Sequence, residues 1–213
     1  MHDAHGTPAG SPTFAGVVPS AGVSLRMGHS KALLDLKSCT FLHHVVHALA
    51  GGGCDPVLVV IAEGDDAVAD EARRSGARTL TNAVPGEGPI TSLRLAIAEL
   101  GDSVDGIAYL PVDHPLVRPE TVARLLAEAR SSEALLTLPM HGAKRGHPAV
   151  FRAGIFPELV DPSLDGGART VVHRHLPDAC LVDIEDPGVI TDIDTPETYA
   201  EIVSDSSQSE TYT

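Results

Sequence analysis

Short apolar runs and helical patterns take turns along most of this chain, and that alternation constrains its fold more than any other feature. Apolar runs at residues 14–18, 57–62 and 78–81 are separated by amphipathic stretches at 40–50 and 65–75, which reads as βαβαβ. The spacing then predicts a helix at 91–100, a strand at 106–110, a helix at 119–130 with Pro119 in its first turn, and a strand at 134–138. The order loosens afterwards, with short strands predicted at 149–151 and 180–184, a helix at 168–175 and a closing helix at 196–203. Strands that alternate with helices form a mostly parallel sheet covered on both faces. The composition suits this: 43% of residues are hydrophobic but only 3% aromatic, with no Trp, so Val, Leu, Ile and Ala must fill the core.

One domain is expected over 14–203, because a chain of 213 residues with this apolar content builds one sizeable core. Residues 1–13, polar and rich in Gly and Pro, and the run SDSSQSETYT at 204–213 are expected to be flexible tails.

A formal net charge of −14 and the scarcity of aromatic side chains argue against nucleic acid as a partner, since phosphate backbones need a concentrated basic face and bases need stacking platforms. Cys39, Cys54 and Cys180 are far apart and form no CxxC, so neither a disulfide framework nor a zinc knuckle is indicated. No basic, apolar leader opens the chain and no 18-residue apolar stretch occurs, so a cytoplasmic protein that does not enter membranes is expected.

A mostly parallel sheet holds its ligand beyond the carboxyl ends of its strands. Ser20, Ala21 and Gly22 follow the first strand, Asn82 the third, and Asp113 the fourth, within Leu110-Pro111-Val112-Asp113-His114-Pro115. The loop at 21–31 carries glycines and the cations Arg26 and Lys31, which suits phosphate binding. It is neither of two common glycine loops: Gly22 and Gly28 are six apart with Lys31 trailing, unlike a P-loop, and G-x-G-x-x-G is absent.

The residues from Ala21 to Leu34 (AGVSLRMGHSKALL) resemble the A-G-x-S-x-R-M-G-x-x-K-x-L-L signature of the small nucleotidyltransferases that act on the molybdenum cofactor. Later segments follow in that family's order. GEGPITSLRLA at 86–96 is similar to its glycine-serine segment, VDHP at 112–115 stands where it has Gly-Asp-Gln-Pro, and Gly146-His147-Pro148 is similar to its Gly-His-Pro. DGGAR at 165–169 and TDIDTPE at 191–197 match its last two motifs. The chain departs from the pattern at Pro19-Ser20 (usually Leu-Ala), Val112 (glycine), His114 (glutamine) and Thr198 (an acid).

The resemblance implies a three-layer α/β/α sandwich with a Rossmann-like nucleotidyltransferase sheet. It implies Arg26 and Lys31 on a triphosphate, with Ser20, Ala21, Gly22 and Ser24 beside it and Asn82, Gly88 and Ser92 on the nucleoside side. Asp113 and Asp194 would hold Mg2+, with Asp192 the alternative to Asp194, while His147 and Arg169 would meet the acceptor. Such a site fits the chemistry, because attack on an α-phosphorus with loss of pyrophosphate needs positioning and cationic neutralisation. The Ala21-Gly22 start is that of the cytidylyltransferase branch, implying CMP transfer from CTP to the terminal phosphate of molybdenum-molybdopterin, and a molybdoenzyme maturation partner. The alternatives are a guanylyltransferase, a nucleotidyltransferase for another phosphorylated acceptor, and a non-catalytic nucleotide or cofactor carrier. Among the 11 histidines, His43, His44 and His47 on the first helix read as surface or partly buried imidazoles, since no glutamate lies between them as in a zincin.

Overall fold

A computed structural model describes residues 12–22, 30–84, 86 and 88–208. Strand β1 (Phe14–Ser20) leads into a two-stranded hairpin, β2 (Asp35–Leu36) and β3 (Cys39–Thr40), and then helix α1 (Phe41–Gly51). Next come β4 (Val57–Ala62), α2 (Asp66–Arg74), β5 (Arg78–Asn82), α3 (Pro89–Leu100), β6 (Gly106–Tyr109) and α4 (Pro119–Ser131). The second half holds β7 (Leu136–His141), β8 (Lys144–Arg145), β9 (Ala149–Arg152), α5 (Phe156–Val160), α6 (Ala168–His175), β10 (Cys180–Asp183) and α7 (Pro196–Gln208).

The main sheet is 8-stranded, in the order β10-β7-β9-β6-β1-β4-β5, with β8 on β7. β5, β4, β1 and β6 run parallel, β9 is antiparallel to both β6 and β7, and β10 runs parallel to β7. Strict side-chain alternation makes this sheet the middle layer. Phe14 and Val18 of β1, with Val57, Val59 and Ile61 of β4, pack into one core with α1, α2 and α4. Ala15 and Val17, with Leu58 and Val60, pack into the other with α3, α5 and α6. The expected three-layer α/β/α fold is the one observed.

Local chemistry sets the helix starts. The Thr40 hydroxyl accepts the His43 N–H and the Asp65 carboxylate accepts the Val68 N–H, each satisfying an otherwise unpaired first-turn donor. Pro89 and Pro119 open α3 and α4, where a missing N–H costs nothing. At the start of α7 the Thr195 hydroxyl accepts the Thr198 N–H, with Pro196 in the first turn.

The ends depart from the predicted tails. Pro12 and Thr13 are tied down, through the Pro12 carbonyl to Arg130 (3.0 Å) and the Thr13 N–H to Asp105 (2.6 Å). At the other end α7 continues past Val203 to Gln208. The hairpin turning at Lys37 (φ 57°), β8 and α5 were not predicted, being too short to show a period. Among the described residues no helix is long and apolar enough to cross a membrane.

Candidate active site

In this sheet β1 lies between β4 and β6, so the chain departs from it in both directions, and that switch point opens a crevice at the carboxyl ends of the strands. β1 ends at buried Ser20, followed by buried Ala21 and exposed Gly22, and among the described residues nothing lies within 4 Å of where a Cβ on Gly22 would stand. Residues 23–29, including Ser24 and Arg26, lie outside the described residues. Lys31 opens a 3-10 turn, Lys31–Leu33.

Beyond β6 the chain stays on β1 for one more bond, with the Leu110 N–H donating to the Val17 carbonyl at 3.0 Å. It then turns, the His114 N–H donating to the Pro111 carbonyl at 3.2 Å, which places Asp113 at the crevice. The Asp113 carbonyl in turn accepts the Ile193 N–H at 2.8 Å. Ile193 is fully buried in a small cluster with Leu36 and Phe41, so its neighbours Asp192 and Asp194 face away from that cluster. Asp194 forms an ion pair with Lys31. Lys31, Asp113 and Asp194, predicted from three distant segments, therefore come together; Asp192 is exposed.

The electrostatics here would suit a cation. Burial pushes the Asp113 carboxyl above the usual carboxylate range; His114 and Lys31 pull it down, and Asp194 adds to the rise. Its Oδ1 atom is buried and, among the described residues, has no hydrogen-bond partner. A buried acceptor left open costs about 1–3 kcal/mol, and a divalent ion is the ligand that a pair of neighbouring carboxylates would take. The residues present thus fit the divalent metal expected from the sequence.

His114 and His147 line the same crevice. Their ring centroids are 4.8 Å apart, and His114 Nε2 lies 3.8 Å from Asp113 Oδ1. Burial and the neighbouring His114 push His147 down to about 4, so it is a neutral imidazole at neutral pH. Its backbone N–H donates to the Val189 carbonyl at 2.8 Å. Gly146 makes this approach feasible, because a Cβ there would lie 2.0 Å from the Val189 oxygen. Gly146→Ala is accordingly expected to destabilise the fold by about 1–3 kcal/mol, read from the midpoint of urea unfolding at unchanged slope.

The remaining predicted residues divide into two groups. Gly88 precedes α3 with φ 89°, and among the described residues nothing lies within 4 Å of where its Cβ would stand. Asn82 and Ser92 instead turn inward, 1% and 2% exposed. The Asn82 amide donates to Thr91 Oγ1 at 2.8 Å, and its oxygen accepts the Val84 N–H at 3.0 Å, so it binds the end of β5 to the start of α3. Arg169 is exposed in the first turn of α6, whose Gly167 abuts Ile90 of α3. Sequence reasoning passed over Asp186, which is 3% exposed and accepts from Thr121 Oγ1 (2.7 Å), the Arg118 N–H (3.0 Å) and the Gly188 N–H (3.0 Å). Its one local cue was the Asp-Pro-Gly order, which favours a turn closed by the aspartate side chain.

Comparison with known proteins accords with this geometry. The chain is 30% identical over 166 residues, 76% of its length and 81% of the relative's, to a probable molybdenum cofactor guanylyltransferase of Mycobacterium avium. Its fold matches the crystal structure of Rv0371c from Mycobacterium tuberculosis with a TM-score of 0.77 at 25% identity, covering 91% of this chain and 99% of that one. A second structure of Rv0371c, in complex with manganese, matches with a TM-score of 0.71 at 23% identity, covering 90% and 98%. Residues 16–179 match the MobA-like NTP transferase domain, and the chain belongs to that family.

Proposed function

We propose that this chain is a molybdenum cofactor nucleotidyltransferase, and that it transfers CMP from CTP to the terminal phosphate of molybdenum-molybdopterin. The observation that carries the reading is the meeting of Asp113, with its open buried oxygen, and the Lys31–Asp194 pair at the sheet's switch point. An oxygen of the acceptor phosphate attacks the α-phosphorus of the triphosphate, the bond to the β-phosphate oxygen breaks, and pyrophosphate leaves. Lys31 neutralises the charge that gathers on the leaving phosphates, and Arg26 in the glycine loop shares that task. Asp113 and Asp194 would hold the divalent ion, Mg2+, which when bound neutralises and orients phosphate oxygens. Backbone N–H groups from Ala21 to Ser24 and the space at Gly88 accommodate the nucleotide, while His147 and Arg169 take the acceptor.

Cytidine is favoured by Ala21-Gly22 at the start of the loop. A guanosine reading is favoured by the relative in Mycobacterium avium, named a probable guanylyltransferase. A thermal-shift panel of CTP, GTP, UTP and ATP, each with and without Mg2+, decides between them. CTP with Mg2+ is expected to give the largest rise, equivalent to about 2.7 kcal/mol at a hundred times its dissociation constant. A larger response to GTP would overturn the cytidine assignment and leave nucleotidyl transfer standing.

A further inference from the structure

We infer that Asp194 makes this crevice select a metal-bound polyphosphate over a free one, because its carboxylate occupies Lys31 until a cation takes it. The inference rests on the assignment of Lys31 to the triphosphate.

The two residues are 163 positions apart, and each is held from its own side. Lys31 opens a turn that its own carbonyl closes, accepting the Leu34 N–H at 3.1 Å. Asp194 follows Ile193, whose side chain is fully buried and whose N–H donates to the Asp113 carbonyl. The ion pair between them is therefore built into the fold rather than formed by two loose surface chains. The Lys31 side chain is only 15% exposed, against 47% for Asp194, so the lysine is the member with less access to water. A mostly buried ammonium needs a counter-ion, and Asp194 supplies one.

The same contact sets up a competition, because a phosphate oxygen and the Asp194 carboxylate seek the same ammonium. Asp113 stands near enough that Lys31 favours its charge and Asp194 opposes it, so one cation serves two carboxylates among these three residues. A free polyphosphate entering there meets an excess of negative charge and must also displace a carboxylate from Lys31. With Asp194 committed to a divalent ion both obstacles fall, since the carboxylate is neutralised and the ammonium is left to the phosphates. Nucleotide and metal then enter as one complex.

Isothermal titration with inorganic pyrophosphate in the presence of EDTA tests this without metal and without turnover. Asp194→Asn, which keeps the shape of the side chain, should bind pyrophosphate at least about tenfold more tightly than the unaltered protein. Asp192→Asn removes the same charge from an exposed side chain two residues away, and should change the affinity by less than about threefold. Adding Lys31→Gln to Asp194→Asn should abolish the gain. A gain in Asp194→Asn no larger than that in Asp192→Asn, or one that survives Lys31→Gln, overturns the inference. Melting curves establish that the variants are folded, and Asp194→Ser repeats the measurement should Asp194→Asn not be. Titration of Lys31→Gln with CTP and Mg2+ tests the underlying assignment separately. Weaker binding there, with no gain in Asp194→Asn, removes the competition alone; binding as tight as in the unaltered protein removes Lys31 from the triphosphate and the inference with it.

Discussion

Asp113→Ala is expected to lower pyrophosphate release by about a thousandfold or more, the equivalent of roughly 4 kcal/mol of lost transition-state stabilisation. The loss should fall on the chemical step, because the substitution leaves Lys31 and the other residues proposed to hold the triphosphate unaltered. The fold should survive, since what ties this turn to the closing segment is the Asp113 carbonyl, bonded to the Ile193 N–H, and the substitution leaves the backbone intact. Stability should even rise. Burial lifts the folded-state pKa of Asp113 above its unfolded value, so keeping it ionised opposes folding as pH climbs past the ordinary carboxylate range. In metal-free buffer the variant should therefore melt at or above the parent at neutral pH, and the difference should vanish in acid, below the unfolded pKa. Unchanged pyrophosphate release would remove Asp113 from the centre.

The sequence carried the sheet well because each strand is a local apolar run. Residues 57–62 form a strand over the whole range predicted, and Pro119 opens α4 where a proline-led helix was expected. Asp113 was legible for a related reason: a polar residue just past a buried strand stands at the edge where parallel sheets bind ligands. What was not legible depends on long-range pairing. Lys31 meets Asp194 across 163 positions, and without the resemblance Lys31 reads as a solvated residue at a helix start. Asn82 and Ser92 show the converse, since being in the right segment says nothing about which way a side chain turns. Both are consumed in joining β5 to α3.

Asp186 is the clearest case, and it leads to the largest stability effect expected in the chain. In Ile184-Glu185-Asp186-Pro187 it looks like one more solvated acid on a chain of net charge −14, yet its carboxylate accepts from groups 68 and 65 positions earlier. With Asp186→Ala, the Thr121 hydroxyl and the N–H groups of Arg118 and Gly188 all lose their acceptor. Removing one side of such a buried charged network costs about 3–5 kcal/mol, a large part of the 5–15 kcal/mol that holds a typical domain together. Asp186→Asn, which keeps an acceptor oxygen, should cost about half as much in urea unfolding. The effect should reach the crevice. Asp186 anchors the turn Pro187–Ile190, whose Val189 carbonyl holds the His147 N–H, and Ile193 just beyond holds Asp113. Below its melting temperature Asp186→Asn should bind nucleotide as before but turn over more slowly, because the strap carries His147 and Asp113, the residues proposed to meet the acceptor and the metal. Full turnover in a destabilised Asp186→Asn would show that the strap holds the fold without positioning the site.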